Sequence, residues 1–282
     1  DFVDIENHGG TSILMRYTLR LLTTQQYERA SSLICASELI RRDNPELGIE
    51  PISIGLWVGS ASTPNSRRDA TKLYDDLIGD NFRTAEYNFI VMKCPCCGSG
   101  IGQLEKPSQQ KKLVGIKKSD GRSSNSRVYF SCENDRCEFH NEELPLYVVD
   151  EDIFQICPTL VLGTVDKFAM VPWKPGSASI FGFREQNGKV RITPPELIIQ
   201  DELHLISGPL GTMVGLYETL IQTLCNNYNR SSSPFYTSDN YVSAKIVASS
   251  ATISRAAEQV KALYSNENIN IFPPQGISFG NT

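Results

Sequence analysis

Two groups of residues in this 282-residue chain have the types and spacing to do chemistry. Asp201-Glu202-Leu203-His204 sets two carboxylates and an imidazole directly behind the apolar run Leu197-Ile198-Ile199. In a nucleotide hydrolase the first carboxylate holds Mg²⁺ through water, and the second orients or deprotonates the attacking water. Acids at a helix N-terminus are the plain alternative. The second group is cysteine. Cys94 and Cys97 have two residues between them, and Cys132 and Cys137 have four. Two such pairs supply four thiolates for tetrahedral Zn²⁺, with Pro95 and Gly98 suited to the tight turn. Four cysteines leave no open position for water, so the metal would be structural. Cys96 could take the place of Cys97, and His140 that of Cys137. A disulfide or unrelated buried thiols are the rival explanations. Cys35, Cys157 and Cys225 lie in apolar surroundings and read as packing residues.

The elements that position these groups follow from periodicity. Short apolar runs read as buried strands at 12–17, 51–58, 89–92, 160–163, 196–200 and 244–248. Helices are predicted over 25–42, capped by Thr23 or Thr24, over 213–228, and from Ser254 through Leu263. Thr63-Pro64-Asn65-Ser66 is a turn with helix-start chemistry. Strand–helix alternation implies an α/β fold with a mainly parallel sheet flanked by helices. The acidic tetrapeptide then falls at the carboxyl end of a strand, where open α/β sheets bind ligands. Ser250-Ala251-Thr252 ends the next strand.

Between the halves the composition changes. Lys106, Lys111, Lys112, Lys117, Lys118, Arg122 and Arg127 outnumber Glu105 and Asp120, as in a solvated ribbon. Metal would hold shape there in place of apolar burial. The expected organisation is residues 1–92 as the first part of the sheet domain, 93–140 as a Cys-rich zinc-binding insertion, and 141–282 as the second part. The net charge of -5 argues against coating nucleic acid by bulk charge. No apolar run is long enough to span a bilayer and no signal peptide is visible, so a cytoplasmic protein without membrane contact is expected.

Together these strings resemble the first RecA-like domain of superfamily 2 DExH helicases. Asp201-Glu202-Leu203-His204 resembles motif II and Ser250-Ala251-Thr252 motif III. Tyr17-Thr18-Leu19-Arg20-Leu21-Leu22-Thr23-Thr24-Gln25 resembles motif Ia with one extra residue. Gly163-Thr164-Val165-Asp166-Lys167 resembles the strand-end motif that touches the nucleic-acid backbone. The long stretch from Gln200 to Gly211 is most like the DrmA-type helicases of the DISARM anti-phage system. The resemblance implies a DNA helicase or translocase using ATP and Mg²⁺, with a partner subunit of a defence complex as a further expectation. It gives Asp201 to Mg²⁺ and Glu202 to water. It gives His204, Ser250 and Thr252 to coupling nucleotide state to domain movement, and Thr18, Arg20, Gln25, Thr164 and Lys167 to the nucleic-acid track. Plain surface cations at Arg20 and Lys167, and capping of the following turn by Thr164 and Asp166, remain open alternatives.

One departure stands out: the chain has no G-x-x-x-x-G-K-[ST] phosphate loop. The resemblance puts that loop before Asp1 and a second RecA-like domain after Thr282. The expectation is a segment of a larger motor that does not hydrolyse ATP appreciably alone. The rival functions are a non-catalytic zinc module that binds nucleic acid or protein through its Lys-rich stretch, and a metal-dependent nuclease.

Overall fold

A computed structural model describes residues 9–79, 85–105, 111–119, 126–183, 185–186, 189–190, 194–226, 244–251, 256–265 and 267–272. The chain begins with β1 (Ile13–Tyr17), α1 (Arg20–Asp43), β2 (Ile54–Trp57) and α2 (Arg67–Ile78). The inserted ribbon follows as two antiparallel pairs. One is β3 (Gly102–Glu105) with β4 (Lys111–Val114); the other is β5 (Ile116–Lys118) with β6 (Val128–Phe130). The second half runs β7 (Leu146–Tyr147), α3 (Asp150–Ile156), β8 (Leu160–Thr164) and α4 (Val165–Phe168). A small hairpin of β9 (Glu185–Gln186) and β10 (Lys189–Val190) precedes β11 (Leu197–Gln200), α5 (Gly208–Cys225), β12 (Lys245–Ala248) and α6 (Ala256–Tyr264).

Six strands form one parallel sheet in the order β12-β11-β1-β8-β2-β7. Parallel neighbours need crossover connections, and here helices cover both faces. All four residues of β2 are buried, as a strand covered on two sides requires. Alternation divides the core. Tyr17, Leu56 and Leu162 pack with α1 and the insertion, whereas Leu14, Trp57, Val161 and Ile198 pack with α5 and α6. Because every strand runs the same way, their carboxyl ends share one edge. Thr18, Thr164, Asp201 and Ser249 all follow or close strands there.

Several expected elements differ. α1 starts at Arg20, before Thr23, and has no side-chain cap. The Thr23 hydroxyl instead donates back to Leu19 O at 2.9 Å, inside the first turn. α5 starts at Gly208 rather than Met213, because Pro209 in the first turn fixes a helical φ and has no N–H to leave unpaired. Residues 89–92 form no strand. Their apolar pattern reflects core packing: Phe89 is fully buried and meets Phe130 edge-on with centroids 6.0 Å apart. Ser66 does cap α2, accepting from Asp69 N at 3.1 Å. The helix from Ser254 begins at Ala256 among the described residues, and Ser254 itself lies outside them. No helix of the described residues is long and apolar enough to cross a membrane.

The most demanding feature of the core is ionic. Arg16 on β1 and Glu218 on α5 have fully buried side chains, with Nη1 2.6 Å from Oε2. Burial alone would favour an uncharged guanidine, but the Glu218 carboxylate overrides it and raises the Arg16 pKa. Tyr17 is also pushed up, to about 12, by burial and then by Asp201. Removing one member of the pair strands a charge in the core. Arg16→Met is therefore expected to destabilise the protein by about 3–5 kcal/mol, measured by urea unfolding. Arg16→Met with Glu218→Leu should recover most of that loss, since an apolar pair of similar volume removes both charges.

Candidate functional site

The acidic loop is built by two neighbouring strand ends. β11 and β12 pair in parallel with Gln200 opposite Ala248, so Asp201 and Ser249 leave the sheet side by side. The Ser249 hydroxyl donates to Asp201 Oδ1, which also accepts the Glu202 N–H at 2.9 Å. Asp201 N donates to Arg16 O at 3.0 Å, and Leu203 N to Ser249 O at 2.8 Å. One carboxylate oxygen of Asp201 is thus fixed by donors from two strand ends. Glu202 has φ 52°, ψ 46°, a left-handed backbone that a non-glycine residue adopts at a cost. Such strain persists where surrounding structure imposes it, and it often marks functional loops. His204 Nδ1 lies 3.3 Å from Glu202 Oε2 and 3.4 Å from Ala251 N. A protonated Nδ1 faces the carboxylate; a bare one accepts from the Ala251 amide. The Glu202 and His204 side chains remain about one-third exposed, at 33% and 28%, so solvent reaches them.

Ser249 was not singled out from sequence. Its signal was the parallel register, which puts the residue after β12 against the residue after β11. Ser250 lines a cleft of 190 Å³ with Leu203, Ile246, Ala256 and Tyr264. Thr252 lies outside the described residues.

The expected nucleic-acid residues divide into three. Thr18 and Thr164 come together, because Tyr17 pairs with Thr164 in the sheet. Both hydroxyls are buried, with no hydrogen-bond partner among the described residues. Thr164 precedes α4 but makes no cap bond, so capping does not explain it. Gln25 is exposed on α1. Lys167 is turned inward: its side chain is only 8% exposed, and Nζ lies 3.0 Å from Asp150 Oδ2 and 3.2 Å from Asn65 Oδ1. Lys174 reaches the same Asp150 oxygen at 2.8 Å. Lys167 is a buried structural cation rather than a solvated one, and burial lowers its pKa despite Asp150. The side chain of Arg20 lies outside the described residues.

In the insertion, the ligand atoms of Cys94, Cys97, Cys132 and Cys137 all lie within 4.8 Å of one another and could hold a metal ion. Cys94 and Cys137 sulfurs are 3.8 Å apart, and those of Cys97 and Cys132 are 3.5 Å apart. Thiolates about 2.3 Å from a tetrahedral zinc sit about 3.8 Å from each other, so the group fits that ion. Cys96 and His140, left open by the sequence, are outside the group; His140 Nε2 instead pairs with Asn141 Nδ2 at 2.7 Å. The first knuckle closes through Gly98 N to Cys94 O at 2.8 Å, with Gly98 at φ +77°, where a glycine is favoured. Burial pushes Cys132 up to about 11. At Cys97 the same effect is outweighed by hydrogen bonding, first with Ser99, which brings it down to about 6.

Three of the ribbon's described cations are paired with acids, whereas Lys117 reaches the neutral Asn141 Oδ1 at 3.2 Å. Lys112 pairs with Glu133 at 3.0 Å, Lys118 with Asp75 at 2.5 Å, and Arg127 with Glu143. Lys106, Lys111 and Arg122 have no described side chains.

No protein-family profile matches the chain. DISARM protein DrmA from Bacillus paralicheniformis (strain ATCC 9945a / NCIMB 11709 / CD-2) is 37% identical over 301 aligned positions, which cover 96% of the chain. The chain is a DrmA relative. It spans 25% of that protein's length. The similarity to DrmA therefore extends across the sheet, the acidic loop and the Cys-rich insertion alike.

A metal held by these cysteines would be coupled to the fold, because Cys94, Cys132 and Cys137 belong to the same core cluster as Tyr27 and Cys35 of α1. The purified protein is expected to carry one zinc per chain by atomic absorption. Cys132→Ser should lose the zinc and lower the melting temperature of the whole sheet domain, not of the insertion alone. Ser249→Ala should cost about 0.5–1.5 kcal/mol in stability by removing one donor to Asp201 at a solvent-accessible position, measured by denaturant unfolding.

Proposed function

We propose that this chain is the motif-II-bearing part of a RecA-like motor domain, and that its parent protein couples ATP hydrolysis to movement along DNA in anti-phage defence. The observation that carries this reading is the acidic loop. Asp201 is locked by donors from two adjacent strand ends, while Glu202 is held left-handed beside it and open to solvent. The DrmA relationship supports the defence setting.

Bound Mg²⁺ would supply neutralisation of phosphate charge. Asp201 holds its position for that ion because the Ser249 hydroxyl and the Glu202 amide fix one oxygen. Glu202 orients a water and accepts its proton. His204 stands between Glu202 and Ala251, so displacement of one strand-end loop is felt by the other. Thr18 and Thr164 lie side by side at the ends of β1 and β8; their hydroxyls are buried here, so contact of this edge with a phosphodiester backbone would require the strand ends to open. Contact of that kind is salt-dependent and largely sequence-independent. Lys167 supports that edge from beneath through Asp150 and Asn65.

The binding-module alternative draws on free cations in the ribbon, and the pairing of Lys112, Lys118 and Arg127 with acids weakens it. The chain lacks a phosphate loop of its own, so the test belongs to the full-length protein. DNA-stimulated ATP hydrolysis is expected there, and Glu202→Gln should lower kcat by about 10²–10⁴-fold. A folded, zinc-loaded full-length protein without ATPase activity, even with its partner subunits, would overturn the reading.

A further inference from the structure

The acidic loop is tied to α6 by one side chain to which neither sequence nor homology gives a role. Gln259 donates through Nε2 to Leu203 O and to Ile206 O, both at 2.8 Å. These carbonyls bracket the short 3₁₀ turn Leu203–Leu205 that follows Glu202. Within the turn, Leu205 N donates to Glu202 O and Ile206 N to Leu203 O, each at 2.9 Å. Directly before it sits the left-handed Glu202. A strained residue followed by a single tight turn has few internal restraints, so its geometry is set from outside. Among the described residues, three outside restraints are present. Ser249 holds the entrance through Asp201 and Leu203, Ala251 N meets His204, and Gln259 holds the exit. α6 is a rigid place to anchor from, because Val260, Leu263 and Tyr264 pack into the core that also buries Leu203 and Ile206.

We propose that Gln259 is a positioning residue for the acidic loop. Its amide pins the turn after Glu202 to α6, which keeps the Glu202 carboxylate aimed and makes the loop and α6 move as one body. The consequence for catalysis rests on the motor reading above; the consequence for loop geometry does not. A helix after β12 that grips the loop after β11 also joins the two strand-end segments of the site by a second route besides the Ser249–Asp201 contact.

The test uses the full-length protein with Gln259→Met, which keeps volume and removes the donor, and Gln259→Glu, which sets a carboxylate against two carbonyls. Hydrogen exchange read by mass spectrometry should show the peptide over 202–207 exchanging about fivefold faster in both variants, the size a net hydrogen bond sets. Peptides from α5 and β1 should be unchanged. In the same samples kcat for ATP should fall by about 10–100-fold with KM held within about twofold, since aim is lost and nucleotide contacts are kept. Unchanged exchange over 202–207 would overturn the inference. So would faster exchange spread over α5 and β1 with a lowered melting temperature, which marks a merely structural residue. Faster loop exchange with unaltered kcat in an active protein would overturn the positioning role. An inactive wild type would sink the motor reading, and the exchange pattern would still decide whether Gln259 pins the loop.

Discussion

The Arg16–Glu218 pair sets the terms for the rest of the molecule. A parallel sheet covered on both faces has an apolar interior, and this one holds two full charges at its centre, on β1 and on the helix that follows the acidic loop. Such a pair tolerates little displacement, because each ion depends on the other for its missing solvation. β1 and α5 are therefore locked in register. Arg16 also accepts at its carbonyl from Asp201 N, so the same residue that anchors α5 fixes the start of the acidic loop. The site inherits its geometry from a constraint that lies wholly beneath it.

At the strand ends the polar groups are arranged by adjacency in space rather than in sequence. Asp201 meets Ser249 across 48 positions, Tyr17 pairs with Thr164, and Gln259 reaches back to Leu203. Each contact joins a different pair of loops. The result is an edge on which the left-handed Glu202 can persist, because donors on either side compensate the backbone cost. Lys167 shows the opposite logic. A cation at a strand end is drawn down to Asp150, where it braces the edge instead of facing outward.

The insertion meets a different problem. Its strands are short and much of its surface is charged, so little apolar area is available to bury. Four cysteines converge under that ribbon, and their neighbours Phe130, Phe139 and Ile101 merge with α1 into a single core. Cation–π contact of Arg42 with Phe139, at 4.8 Å, and the Arg42–Glu142 ion pair at 2.7 Å link the same surfaces. A metal at that point would stabilise the sheet domain as much as the ribbon.

Much was determined by the sequence alone. Apolar runs of four or five residues divided by helical periods pointed to a parallel α/β sheet, and the paired cysteine spacing pointed to a metal-binding group, because both are local consequences of chain geometry. Asp201 and Glu202 had to emerge at a strand end for the same reason. Local pattern misled where burial imitated a strand, at 89–92, and where Pro209 started α5 a turn early. It could not separate Cys97 from Cys96, or Cys137 from His140, since spacing permits either and only the fold of the knuckles turns one sulfur inward. Tertiary structure alone decided the Arg16–Glu218 pair, the burial of Lys167, and the contacts of Ser249 and Gln259 with the acidic loop. These are contacts between segments tens to hundreds of residues apart, set by strand order and helix packing, and no short window of sequence contains both partners.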